Sequence, residues 1–160
     1  MNECKLSEIN WTKAAVFAGG DRDHYRTDFD CFVGVDRGSL WVLEEKLPLA
    51  LAVGDFDSVT VEERQLIQER AKHFVQAQPE KDDTDLELAL LTIFEKNPQA
   101  QVTIFGALGG RIDHMLANVF LPSNPKLAPY MRQIEIEDGQ NLISYCPEGT
   151  SQLEPRSDYD

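Results

Sequence analysis

The stretch AVGDFDSVT, residues 52–60, is an apolar run that ends in two carboxylates, Asp55 and Asp57, one residue apart. Like charges this close repel, and each is costly to take out of water unless a proton or cation compensates. The pair is therefore either an exposed turn or part of a metal site. Other acids fall at comparable places: Asp36 after CFVGV, Asp82, Asp83 and Asp85 in PEKDDTD (79–85), and Asp113 in GALGGRIDH (106–114). Lys81 and Arg111 lie among them, and glycines including Gly19, Gly20, Gly109 and Gly110 punctuate the same stretches. Glycine turns let backbone N–H groups come close to phosphates. Carboxylates with a few cations and such turns suit magnesium and a polyphosphate, because Mg²⁺ prefers oxygen ligands and joins one or two carboxylates to substrate phosphates. Chemistry of that kind needs positioning, metal charge and basic groups. It needs no covalent nucleophile, and the sequence shows none.

Each of these residues also has a plainer reading. Asp82, Asp83 and Asp85 fall in the first turn of an expected helix, where an acid stabilises the helix dipole by roughly 0.3–1 kcal/mol. Arg111 and Asp113 can be a surface pair worth under about 1 kcal/mol. His114 reads as a helix-start or packing residue, and His24, His73, Cys4, Cys31 and Cys146 as structural. FAGGDRD (17–23) matches neither a P-loop nor G-x-G-x-x-G.

The elements that must position the acids are legible as an alternation. AAVFAGG (14–20), CFVGVDRG (31–38), LALAVGDFD (49–57), HFVQAQ (73–78) and QVTIFGALGG (101–110) read as strands, several of them continuously apolar, as strands covered on both faces are. Between them, residues 60–74 place Leu66, Ile67, Arg70, Ala71 and Phe74 on one helical face, and residues 84–96 place Leu86, Ala89, Leu90, Ile93 and Phe94 on another. Thr60 with Glu63 and Thr84 with Glu87 have capping-box spacing. Shorter helices are expected after Gly38 and from about Asp113 to Leu121. The pattern predicts an α/β fold with a mostly parallel, Rossmann-like sheet and helices on both faces. In such a sheet the carboxyl ends of the strands line one crevice, and that is where the acids fall. Residues 1–121 read as this domain, and the proline-rich 122–132 as a linker. Residues 133–160 read as a β-hairpin around an Asp-Gly turn, the start of a small β-sandwich that the sequence does not complete.

Composition narrows the class further. The 160 residues carry 28 acidic and 15 basic side chains, a formal net charge of -13, which argues against non-specific nucleic-acid or anionic-membrane binding. An anionic substrate would need local cations. There is no C-x-x-C or H-x-x-x-H pair for zinc, no signal-peptide pattern at the start and no membrane-length apolar run, so the expected location is cytoplasmic.

GVDRGSLWVLEEKLPLALAVGDFDSV, EKDDTDLELAL and GALGGRIDHMLANV resemble, in order and spacing, the signature blocks of thiamine pyrophosphokinases (thiamine diphosphokinases), over about residues 14–121. The resemblance implies transfer of pyrophosphate from ATP to the thiamine hydroxyl, giving AMP and thiamine diphosphate, with Mg²⁺ as cofactor. It implies an ATP-binding α/β catalytic domain, a thiamine-binding β-sandwich and a homodimer with active sites between subunits. By position, Asp55, Asp57 and Asp85 would be metal and catalytic carboxylates, with Lys81 and Arg111 holding phosphates. Asp82, Ser58, Thr84, Gly109, Gly110, Asp113 and Asn118 would complete the nucleotide side, and Asp36 would be the acid near thiamine. Asp57 or Asp85 would accept the hydroxyl proton. Arg37 departs from the pattern, standing where the family often has glycine. Because the family's sandwich contributes an aromatic residue to the thiamine pocket, these 160 residues are expected to bind nucleotide better than thiamine and to turn over weakly or not at all.

Two other readings remain. DFDSV resembles the D-x-D-x-[TV] motif of haloacid dehalogenase-type phosphatases and phosphotransferases, although that motif normally follows the first strand and this one follows the third. A nucleotide-binding domain without turnover is the second, and the convergence of acids with Lys81 and Arg111 weighs against it.

Overall fold

Four of the five apolar runs, at 13–17, 31–35, 49–54 and 101–105, form strands almost wholly closed off from water on both sides, while the fifth, at 73–76, is half-buried at the sheet edge. The computed structural model describes residues 9–78, 80 and 82–156; Cys4 and Lys81 lie outside the described residues. The strands are β1 (Lys13–Phe17), β2 (Cys31–Val35), β3 (Leu49–Gly54), β4 (His73–Gln76), β5 (Gln101–Phe105), β6 (Ile134–Glu137) and β7 (Leu142–Ser144). They make one seven-stranded sheet in the order β4-β3-β2-β1-β5-β6-β7, parallel throughout except for the antiparallel β6–β7 pair. This is the expected α/β class.

The pleat divides the core in two. Ala14 and Val16 join Val33, Leu51, Val102, Ile104 and Ile136 on one face, while Ala15 and Phe17 join Phe32, Ala52 and Phe105 on the other. Helix α3 (Asp85–Lys96) covers the first face with Leu86, Ala89, Leu90, Ile93 and Phe94, all buried, as the spacing predicts. Helices α1 (Gly38–Glu44) and α2 (Val61–Arg70) cover the second through Leu40, Trp41, Val42 and Ile67. Both expected capping boxes are present. Thr60 Oγ1 accepts the Glu63 amide (3.1 Å) and Thr84 Oγ1 the Glu87 amide (3.2 Å), with each glutamate accepting the cap amide in return.

Two expectations change. The helix expected over 60–74 ends at Arg70, because Ala71 turns extended and residues 73–76 pair with β3 instead. Of its proposed face only Ile67 is buried in the helix; Phe74 belongs to β4, where its ring stacks on Phe56 (centroids 4.8 Å apart). The stretch expected to be a linker folds into two 3-10 segments, Leu121–Ser123 and Ala128–Gln133, that bury Leu121 and Leu127 and stack Tyr130 on Phe94 (4.3 Å). Asp83 holds this segment by accepting from Asn124 Nδ2 (3.1 Å) and Lys126 Nζ (2.8 Å). Directly after it, β6 pairs in parallel with β5 and extends the sheet. The hairpin itself forms, its turn fastened by Asp138 Oδ1 accepting the amides of Gln140 (2.8 Å) and Asn141 (2.6 Å). With β7 the parallel order ends, and these strands fit the start of a β domain. No helix among the described residues is long and apolar enough to cross a membrane.

On the second face, β6 presents a buried carboxylate. Glu137, its side chain only 6 % exposed, accepts from Arg26 Nε (3.1 Å), Arg26 Nη2 (3.1 Å) and His24 Nε2 (2.8 Å). Burial pushes its carboxyl up, but Arg26 and His24 outweigh that and hold it below the ordinary value of 4.5. A carboxyl depressed by folding contributes stability above its unfolded value, and the contribution is lost as pH falls through the folded one. Arg26→Ala therefore costs about 2 kcal/mol at pH 7, less than the 3–5 kcal/mol of a fully buried pair because Arg26 is itself one-third exposed. The cost shrinks below pH 4.5, where Glu137 takes up its own proton. Urea midpoints of wild type and variant at pH 7 and pH 3 check this; an equal gap at both would show the ion pair to be unimportant.

Candidate active site

The strand order reverses at β1: β2, β3 and β4 run off to one side, β5 and β6 to the other. Loops leaving β1 and β5 therefore diverge and open a crevice at their carboxyl ends, the usual ligand position of such sheets. Ala18 N–H donates to the Phe105 carbonyl (2.8 Å) and Gly20 N–H to that of Gly106 (2.9 Å), so the two chains stay paired up to the crevice floor. The space measures about 580 Å³ and is bounded by the turns after β1, β2, β3 and β5 and by the starts of α3 and α4 (Ile112–Val119).

Asp36, Asp55 and Asp85 converge beside it. One carboxylate oxygen of each lies within 4.8 Å of the others, and all three residues are half-buried. Three different elements supply them, and the local backbone is shaped to do so. Asp36 follows β2 in the left-handed region (φ 49°), its N–H donating to the Val53 carbonyl (2.9 Å). Its Oδ1 accepts the Phe56 amide (3.0 Å), and Phe56 is left-handed too (φ 60°). The acid after β2 thus organises the turn after β3 that carries Asp55. Gly54 is required there, because a Cβ would stand 2.1 Å from Asp36 Oδ1. Asp55 Oδ1 accepts the Asp57 amide (3.1 Å), an Asx turn that fixes its own side chain. Asp85 opens α3 behind the Thr84 cap.

The remaining expected residues distribute as follows. Ser58, Thr84, Gly109, Gly110, Arg111 and Asn118 line the crevice with Asp36 and Asp85. Asn118 Nδ2 donates to the Ala107 carbonyl (2.9 Å), tying α4 to the end of β5. Gly109 (φ 83°) and Gly110 (φ 69°) make the left-handed turn between them. Asp113 does not line the crevice; it binds Arg111 through two bonds (3.2 and 2.6 Å), and the guanidinium holds its carboxyl below the usual range. Asp82 and Asp57 are exposed, and Asp57 is outside the three-carboxylate group. Asp36, expected near thiamine, takes the third place in that group. Arg37, His114 and Met115 also line the crevice. Nothing in their spacing marks them: Arg37 enters through the left-handed turn at Asp36, and His114 and Met115 enter from α4.

Three carboxylates from separate elements offer oxygen atoms alone, the donor chemistry of a hard divalent cation. The residues present fit Mg²⁺. Beside them lie two guanidinium groups, those of Arg37 and Arg111, in a chain of net charge -13.

Comparison with known proteins shows the family of the chain. Residues 22–133 match the family described as thiamin pyrophosphokinase, catalytic domain. The chain is 37% identical over 145 residues to the thiamine pyrophosphokinase of Bacillus subtilis, covering 87% of this chain and 66% of that protein. Among solved structures it resembles a thiamin pyrophosphokinase family protein from Enterococcus faecalis (48% identity, TM-score 0.79, 86% of this chain and 66% of that one). It also resembles the B. subtilis enzyme (35% identity, TM-score 0.66, 82% and 62%). The chain thus spans just under two thirds of these relatives' length. None of the matches favours the haloacid dehalogenase-type reading.

Proposed function

This chain belongs to the thiamin pyrophosphokinase catalytic-domain family, and from that premise we propose that it transfers pyrophosphate from ATP to the hydroxyl of thiamine. The observation that carries the reading is the meeting of Asp36, Asp55 and Asp85 within 4.8 Å at the mouth of the crevice. In this reading the three acids hold Mg²⁺, which would supply positive charge against the phosphate oxygens. Arg111, with Lys81, binds the phosphate chain. Ser58, Thr84, the Gly109–Gly110 turn and Asn118 shape the nucleotide side, with Asp82 and Asp113 at its rim. The thiamine oxygen forms its bond to the β-phosphorus as the bond from that phosphorus to the AMP oxygen breaks. The hydroxyl proton passes to Asp57 or Asp85.

A homodimer and a cytoplasmic location, where ATP is at hand, belong to the same proposal. The dimer is supported by α4 and its C-cap, where Ile112, Leu116 and Phe120 are 68%, 46% and 62% exposed at four-residue spacing. The test is AMP formation from ATP, with and without thiamine and with and without Mg²⁺, beside calorimetry of ATP binding. We expect magnesium-dependent heat with ATP, binding of ATP tighter than of thiamine, and slow AMP formation that requires thiamine. Heat indifferent to the metal, or AMP release indifferent to thiamine, would refute the assignment, and sedimentation as a single copy at assay concentration would refute the dimer.

A further inference from the structure

We propose that Arg37 is a polyphosphate-binding residue, meeting the nucleotide's phosphate chain from the β2 side of the crevice; this rests on the reading of the crevice as a magnesium–nucleotide site.

Its position follows from the turn after β2. Asp36 is locked in the left-handed region by its bonds to Val53 and Phe56, and the next residue is thereby turned into the crevice, whose wall it forms with Gly19 and Ser58. Across the β1 turn, a Cβ built on Gly19 would lie 3.8 Å from the Arg37 Cβ, so the base of the arginine side chain sits against a glycine turn whose backbone amides can come close to phosphates.

Its charge state points to an anion. Arg37 spends one N–H, from Nη1, on the Ser58 carbonyl at 2.7 Å. A guanidinium has five N–H groups in a planar fork, and among the described residues no carboxylate contacts this one. Glu63, whose carboxyl Arg37 helps to hold low, is committed to the Thr60 amide in its capping box. Arg111 differs, for both of its bonds go to Asp113. Arg37 is therefore, among the described arginines of the crevice, the one not already matched to a carboxylate. It stands beside Asp36, and an acidic trio that attracts a cation repels a polyphosphate unless a cation such as this receives it. Arginine suits that task because its fork fits phosphate oxygens in pairs.

Titrations of ATP, ADP and AMP with Mg²⁺ test the assignment on wild type, Arg37→Ala, Arg37→Gln and Arg37→Lys. Losing a charged hydrogen-bonding partner should weaken ATP binding about tenfold or more in the Ala variant, with under about twofold effect on AMP. Lysine should restore much of the loss. Glutamine keeps a donor for the Ser58 carbonyl and hence the local turn, so it should reproduce the ATP-selective loss at an unchanged melting temperature. Equal loss for ATP, ADP and AMP, or no loss, would overturn the role of Arg37 while leaving the crevice reading intact. A wild-type chain that binds none of the three would overturn both.

Discussion

Asp55→Asn should lower thiamine-dependent AMP formation at least about a hundredfold while leaving the fold intact. Removing a single preorganised electrostatic contact to a transition state commonly costs two to three powers of ten, and here the loss falls on one of three charges gathered within 4.8 Å. The fold should survive because, among the described residues, the bond the Asp55 carboxylate makes is the one to the Asp57 amide, which an asparagine oxygen can also accept. Without metal the variant should melt near the wild-type temperature, because asparagine keeps the Asx turn. Wild type should then gain melting temperature on adding Mg²⁺, by mass action on the folded state, and the variant should gain much less. Thermal scans with and without Mg²⁺ beside the activity assay measure both. Wild-type turnover in Asp55→Asn, or an undiminished magnesium shift, would remove Asp55 from the metal site. Asp57→Asn asks a separate question, since Asp57 is exposed and outside the trio: a large loss there would assign it the proton.

The sequence made the layers of the fold readable because they depend on local pattern. Continuous apolar runs could only be covered strands, and the five-residue stripe of α3 and both capping boxes reappear residue for residue. What it concealed depends on pairing between distant segments. Phe74 fits by spacing both the helical face of 60–74 and the strand read at 73–78, and edge pairing with β3 decides for the strand. Prolines at 122, 125 and 129 look like a linker, yet a proline in the first turn of a short helix costs nothing, and Leu121 and Leu127 find the core. The site divides in the same way. That acids gather at strand ends follows from topology, so Asp36, Asp55 and Asp85 were all legible as members. Which three meet within 4.8 Å depends on two left-handed residues, Asp36 and Phe56, whose backbone sequence pattern does not disclose. These aim Asp36 inward, whereas Asp57, with its amide folded back onto Asp55, lies outside the group. Arg37 looked only like a departure from a glycine pattern, because its meaning lies in the turn it extends from.

Gly38→Ala should severely destabilise the fold, more than an alanine at any other glycine. Gly38 opens α1 directly against β1. A Cβ there would stand 1.8 Å from the Phe17 carbonyl oxygen, 2.6 Å from its carbon and 3.0 Å from the carbonyl carbon of Ala18. All three are backbone atoms of the central strand and of the residue that follows it, so no side chain can swing aside and the helix itself must lift. Lifting it separates Trp41 from Phe17, which meet edge to face at 4.8 Å in the second core. Overpacking that a core can absorb costs about 1–3 kcal/mol; a clash with central backbone exceeds that range, against a total stability of roughly 5–15 kcal/mol. We expect a melting temperature lowered by about 10 °C or more, or no cooperative transition. Gly110→Ala is the informative contrast. Its φ of 69° imposes strain of about 1–2 kcal/mol, but nothing lies within 4 Å of the added methyl, so the protein should fold with a small loss. Calorimetric scans of the two variants should therefore differ widely, and a Gly38→Ala protein melting within 2–3 °C of wild type would show that α1 can move away from β1 at little cost. Because Asp36 and Arg37 immediately precede that helix, such freedom would also mean that the crevice is not held rigid by its packing, and nucleotide affinity in the variant would report which of the two holds.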